Sequence, residues 1–389
     1  MPPINAHRLA ETFAALVSID SVSRHEAAVS AKIQEMLRPF AADMKIDNAG
    51  EKIGGDTGNL IVRIPGTIPG ASAVPPLMLN AHMDTVEPGT GVKPRFENGV
   101  FTSDGTTVLG ADDKSAIAII IETLRVLGEN QLPHGPLEIV FTIAEEIGLL
   151  GAKHLDFDLI SAKYGYALDT ADTETIVTQA PAANRFDIAV HGKDAHAGAD
   201  PEKGINAIFL ASQAISGLTL GRIDDETTCN IGVMEAAGAT NIVPNLVTLK
   251  GEARSHDEEK LEQVTKTILD AFEAAAAAFR RERETGDLPR VNAHVERDFS
   301  RTHIPEDHAV VMMARQAARN LGRQMGTRRT GGGADANVFF QQGIIAGVIG
   351  TGMKDIHTVR ESIRLSDMEK TVALLLEIIT LHATGAYLP

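Results

Sequence analysis

Apolar residues recur every three or four positions over residues 9–17 and again over 27–37, which predicts two amphipathic helices. The pattern then shifts to short apolar runs bounded by Gly, Pro or polar residues, at 59–64, 77–81, 137–142 and 164–168. Each has the length of a strand. Between the second and third runs, residues 114–127 return to a helical period. That gives the strand, helix, strand alternation of a sheet covered by helices.

Near residue 185 the period shortens to two. Arg185, Asp187 and Ala189 alternate with Phe186, Ile188 and Val190, as in a strand with one wet face. A helix at 205–216, strands at 230–234 and 246–253, a long helix at 257–283 and a strand at 291–295 complete the set. Their order, βαββαβ, is that of a ferredoxin-like domain. Residues 273–284 combine five consecutive alanines with an Arg/Glu-rich end, the pattern of a helix with a packed alanine side and a solvated terminus. Helix, strand and helix resume at 306–320, 344–349 and 367–382. The predicted organisation is a split α/β domain, 1–181 and 298–389, with a mixed sheet flanked by helices. A small domain at 182–297 interrupts it. No repeat of solenoid period is visible.

Composition narrows the function. A chain of 389 residues that is 43% hydrophobic can bury one large core or two. A net charge of −16 without a basic run argues against nucleic acid as a partner. The single cysteine, Cys229, cannot form an intramolecular disulfide, which fits a reducing compartment. The first residues lack a basic stretch followed by an apolar one, so no signal peptide is expected. The most apolar segment, 116–121, is too short to span a bilayer. A cytoplasmic protein without a membrane partner is expected.

Candidate chemistry collects at strand ends. The second strand run ends in Asn80-Ala81-His82-Met83-Asp84, where positions i and i+2 of an extended segment project to one side. His82 and Asp84 can then act as an imidazole ligand and the carboxylate that orients it. Leu109-Gly110-Ala111-Asp112-Asp113-Lys114 introduces a helix. One aspartate there would serve as a cap worth about 0.3–1 kcal/mol, but capping needs only one. Ala144-Glu145-Glu146-Ile147-Gly148 follows the third run, at the edge where α/β sheets place ligands. Asp169 closes the fourth, and His357 lies in the loop after the last strand. Imidazole and carboxylate without thiolate suit zinc, cobalt or manganese, in numbers sufficient for two ions sharing one bridging group. One carboxylate remains for proton transfer.

These motifs, in this order and spacing, resemble the dinuclear zinc peptidase and amidohydrolase family that contains peptidase T, carboxypeptidase G, aminoacylase and succinyl-diaminopimelate desuccinylase. The resemblance covers essentially the whole chain. It implies a zinc-exopeptidase-like α/β fold with an inserted lid or dimerisation domain. By resemblance, His82, Asp112 and Asp169 would bind one ion and Asp112, Glu146 and His357 the other, most simply zinc. Asp84 would orient His82, Glu145 would be the general base, and the peptide bond after Asp112 would be cis. In the small domain, Gly192-Lys193-Asp194-Ala195-His196-Ala197-Gly198 is similar to the family's oxyanion-binding histidine segment, with His196 in that role. Asn241 matches an Asn before Val-Pro, and Arg254 a substrate-carboxylate Arg, whose fork suits bidentate binding. Gly331-Gly332-Gly333-Ala334-Asp335 resembles a glycine-rich loop bordering the substrate, with Gly332 as a substrate contact.

The expected activity is hydrolysis of an amide bond in a small peptide, closest in pattern to peptidase T. A carboxypeptidase or N-acyl-amino-acid amidohydrolase on the same scaffold is the alternative, and a non-catalytic binding protein a remoter one. The family's small domain can pair two copies, so a homodimer is expected.

Overall fold

The computed structural model describes residues 2–283 and 286–387. Glu284, the last residue of the alanine-rich helical run, lies outside them. The chain divides into two compact units. One runs to Gln179, resumes at Thr302–Thr330 and continues from Ala334; the other is Ala180–Arg301 with Gly331–Gly333.

The larger unit is built on a nine-stranded mixed sheet. Its centre is parallel, with Leu77–His82 between Leu137–Thr142 and Tyr164–Thr170, and Ile345–Gly350 beside the last of these. Leu77–His82 and Leu137–Thr142 are buried at every position, as strands covered by helices on both faces must be. The helix Ala111–Glu129 is apolar around most of its circumference and almost wholly buried. It packs against the helices Ala6–Val17 and Leu365–Ala383. At Gly165 a Cβ would come 2.1 Å from the Met78 carbonyl, so only glycine fits that strand crossing.

Several sheet members escape the apolar pattern. Asp43–Ile46 is a half-exposed strand, and Gly326–Arg329 carries two arginines and no aliphatic residue. Backbone pairing, rather than side-chain burial, puts them in the sheet: Asp43–Ile46 pairs with Leu60–Ile64, and Gly326–Arg329 with Thr175–Ala180. Tyr164–Thr170 also runs past the predicted 164–168, so Asp169 is inside the strand.

The second unit has a five-stranded antiparallel sheet, in the order Gly221–Arg222, Thr227–Glu235, Leu246–Ser255, Ala182–His191, Arg290–Phe299. Without the short first strand this is the ferredoxin-like order. Phe186, Ile188 and Val190 point into its core, while Asp187 is exposed, as the period-two pattern predicts. Helices Ala207–Ser216 and Glu258–Glu282 cover the core face. Asn206 and Asp257 cap them, accepting N–H bonds from Phe209 and Lys260. Phe299, ending the last strand, packs where a Cβ on Gly333 would stand, at 2.5 Å. That contact fixes the glycine-rich loop on this unit. Among the described residues no helix is long and apolar enough to cross a membrane.

Candidate active site

Asp112 is the geometric centre of the site. One of its carboxylate oxygens, Oδ1, lies 3.0 Å from His82 Nε2, and the other, Oδ2, lies 3.3 Å from His357 Nε2. His357 Nε2 is also 3.0 Å from both oxygens of Glu146. Ligand atoms of His82, Asp112 and Glu146 cluster within 4.8 Å, and so do those of Asp112, Asp113 and Asp169. All five predicted ligands therefore converge around Asp112. Asp113, which the sequence pattern leaves without a role, joins Asp169 there.

The backbone explains why Asp112 can reach inward. Gly110 has φ +75°, a left-handed conformation that glycine adopts freely, and Asp112 (ψ 102°) departs from helical geometry inside the first turn. The Asp112–Asp113 bond is cis, as the resemblance implies. Helix Ala111–Glu129 then proceeds regularly, so the chain delivers both aspartates before the helical ladder starts.

Asp84 is fully buried and holds four neighbours at once. His82 Nδ1–H donates to the Asp84 carbonyl at 3.0 Å and lies 3.3 Å from its Oδ1. That fixes the tautomer with Nε2 facing Asp112. The same carboxylate accepts N–H bonds from Glu145 at 2.9 Å and Glu146 at 3.2 Å, and the hydroxyl of Ser23 at 2.6 Å. Glu26 extends this clamp by accepting the N–H of Ala144 at 2.9 Å, a residue at φ 50°. Three successive amides, 144 to 146, thus end on two carboxylates from elsewhere in the chain. Ser23 and Glu26 carry no local signal in the sequence, because their partners lie 61 and 118 positions away.

The charges are crowded. Burial, then the surrounding carboxylates, pushes Asp113 and Asp169 well above the ordinary carboxylate range. Glu145 is pushed the same way by burial, against the pull of His82. Burial raises Glu146 too, opposed by its bond to His357. For Asp112 burial acts upward, but hydrogen bonds from His357 and His82 outweigh it and hold the carboxyl down. His357 is raised to about 10 by Asp112 and Glu146. Two imidazoles thus stand against several carboxyl groups that burial and mutual repulsion disfavour as anions. Divalent cations relieve the same crowding without protons, and the donor set of imidazole and carboxylate oxygens is the one such ions prefer. The residues present fit a pair of ions sharing Asp112.

The protein-family comparison matches residues 78–381 to peptidase family M20/M25/M40. The chain belongs to this family. The full-length likeness to peptidases makes the chain a hydrolase acting on peptide bonds. A Bacillus subtilis protein called YqjE is 41% identical over 377 residues, covering 97% of this chain and 98% of its own. A solved tripeptidase of Staphylococcus aureus is 39% identical, with a TM-score of 0.89 over 98% of this chain and 99% of its own. The solved aminopeptidase PepT of Bacillus cereus is also 39% identical, with a TM-score of 0.84 at the same coverage.

The small unit of this M20 peptidase presents the other predicted residues differently. His196 is exposed, and its Nδ1 accepts N–H bonds from Gly198 at 3.2 Å and Ala199 at 3.1 Å. In the neutral ring the proton is then on Nε2, which points a donor outward. Ala195 to Ala197 pair with 241–243: Ala197 N–H donates to the Asn241 carbonyl at 2.9 Å, and Val243 N–H to the Ala195 carbonyl at 2.9 Å. This short pairing sets Ile242 opposite His196 and Asn241 opposite the neighbouring Ala197. Arg254 is engaged by Glu252, at 3.0 Å from both Nε and Nη2, and by the Gly331 carbonyl at 3.2 Å, and it stacks 5.7 Å from the Phe299 ring centre. Its fork is therefore held against the Gly331 carbonyl, next in the chain to Gly332.

Proposed function

We propose that this M20 peptidase is a cytoplasmic, tripeptidase-like aminopeptidase that uses two zinc ions held by His82, Asp112, Glu146, Asp169 and His357. The observation that carries the reading is the Asp112 carboxylate, which offers one oxygen to each histidine. The full-length similarity to proteins named tripeptidase and aminopeptidase supports the substrate class. Bound there, the ions would supply Lewis acidity at the scissile carbonyl and acidify a water.

The chain's own residues do the rest. Glu145 is buried, its amide fixed by Asp84, and its carboxyl is raised by burial, so it is suited to take a proton from the attacking water and return it to the leaving amine. Asp84 keeps His82 in one tautomer throughout. His196 Nε2–H donates to the oxyanion that develops on the carbonyl. Arg254, Asn241 and Gly332 border the substrate, with Arg254 holding a terminal carboxylate in place of its present bonds to Glu252. The small unit also pairs two copies. Beyond Cys229 the strand Thr227–Glu235 has no outer neighbour among the described residues, and Val233 and Met234 are exposed on it.

The deciding experiment is a hydrolysis screen of tripeptides, dipeptides and N-acyl amino acids on protein loaded with zinc, cobalt or manganese. The expected result is release of the first residue from tripeptides. Release of the last residue identifies a carboxypeptidase, and cleavage of N-acyl amino acids alone an amidohydrolase. No turnover with fewer than two ions per chain makes it a binding protein.

A further inference from the structure

The segment carrying His357 closes on itself. Lys354 and Ser362 exchange backbone hydrogen bonds at 2.9 and 3.0 Å, Thr358 Oγ1 donates to the Asp355 carbonyl at 2.7 Å, and Glu361 N–H donates to the Thr358 carbonyl at 3.0 Å. Glu361, four positions past His357, is 2% exposed. Its carboxylate leaves this loop altogether and takes three amides of the turn that carries Asp112. Oε2 accepts from Leu109 at 2.7 Å and Gly110 at 2.8 Å, and Oε1 accepts from Asp112 at 2.9 Å.

Nothing in the reaction above uses this side chain, yet its chemistry is demanding. Three N–H donors from one turn need acceptors on both terminal atoms, which among side chains of this length only a carboxylate provides. An amide would set an N–H against an N–H. A buried carboxylate without ligand, substrate or catalytic role is costly unless its geometry is needed. Here both ends of the link matter, because Asp112 and His357 face each other 3.3 Å apart.

We propose that Glu361 is a positioning residue that ties the His357 loop to the Asp112 turn and so fixes the spacing of two ligands on the same metal ion. The inference rests on the dinuclear reading and deepens it, since it assigns what holds the bridging carboxylate in place.

The test uses the full chain with Co2+ as the probe. Stoichiometry, affinity by chelator competition and the visible absorption of the bound ion are compared for wild type, Glu361→Gln, Glu361→Asp and Asp112→Asn. Wild type is expected to bind two ions, and Glu361→Gln to bind at least one of them about 10–100-fold more weakly, with a changed absorption at saturation. Its kcat should fall more than its KM changes. Glu361→Asp keeps the charge on a shorter arm and should recover part of the affinity. If Glu361→Gln loses thermal stability in the metal-free form but keeps wild-type affinity and absorption, the residue is a structural prop only and the proposal is overturned. Should Glu361→Gln not fold, wild-type affinity and absorption in Glu361→Asp would overturn it equally. If Asp112→Asn binds two ions as tightly as wild type, the dinuclear reading itself fails, a result distinct from either.

Discussion

The large unit and the small unit hold their chemistry in opposite ways. Around Asp112 most functional side chains are buried and braced, His357 being the half-exposed exception. His82 is braced by Asp84, the amides of 144–146 by Asp84 and Glu26, and the Asp112 turn by Glu361. In the small unit His196 stands exposed on a loop, braced by two amides and a short backbone pairing. The difference follows from the surroundings of each. Like charges gathered in a buried space repel and lose hydration, so they persist only where many bonds hold them. A single exposed imidazole on a loop meets no such crowding and needs no such scaffold.

The contrast can be broken from either side. The largest effect is expected for Asp112→Asn, which keeps the shape and removes the bridging charge. Bound metal measured by elemental analysis should fall to near zero, and turnover by about 10^4-fold or more, as several kcal/mol of charge stabilisation disappear. Glu145→Ala should lower turnover by about 10^2–10^4-fold with metal content unchanged. Metal lost together with turnover would exchange the roles of Glu145 and Glu146. His196→Ala should cost about 10^2–10^3-fold in kcat while unfolding free energy stays within about 0.5 kcal/mol of wild type. A large drop in stability there would show the small-unit histidine to be structural, and the contrast between the units would fail.

A smaller effect concerns the brace itself. Burial, then the nearby Asp84, raises Glu26 from 4.5 to about 7. A carboxyl whose folded value is raised gives stability that is full below its unfolded value and is lost as pH rises through the folded one. Metal-free wild type should therefore lose stability between about pH 4.5 and 7 from this residue, by on the order of 1–3 kcal/mol. In Glu26→Gln the amide oxygen can still accept from Ala144, and its denaturation curves should show a shallower pH slope over that window. Equal slopes would mean that Glu26 is not the group titrating.

Legibility differed by element. The buried parallel strands and the alternating strand at 182–191 announce themselves, because burial on two faces or one imposes an apolar run or a period of two. Asp43–Ile46 and Gly326–Arg329 do not, since they join the sheet mainly through backbone pairing and polar side-chain contacts that leave no apolar run. Among the site residues, His82 with Asp84 and Glu145 with Glu146 are readable as local pairs at strand ends. Glu361, Ser23 and Glu26 are not. Their partners lie 249, 61 and 118 positions away, and a lone Glu or Ser looks the same on any surface.

The sequence alone determined which residue types arrive at which strand ends, and with them the family and the kind of ion that would suit them. Periodicity and short motifs are local properties, and local properties survive in a one-dimensional string. The tertiary structure decided what faces what: that Asp112 gives one oxygen to each histidine, that Asp113 joins Asp169, and that Glu361 spans two loops. Those distances depend on how strands far apart in the chain are ordered in one sheet, and burial then makes each charge depend on its neighbours.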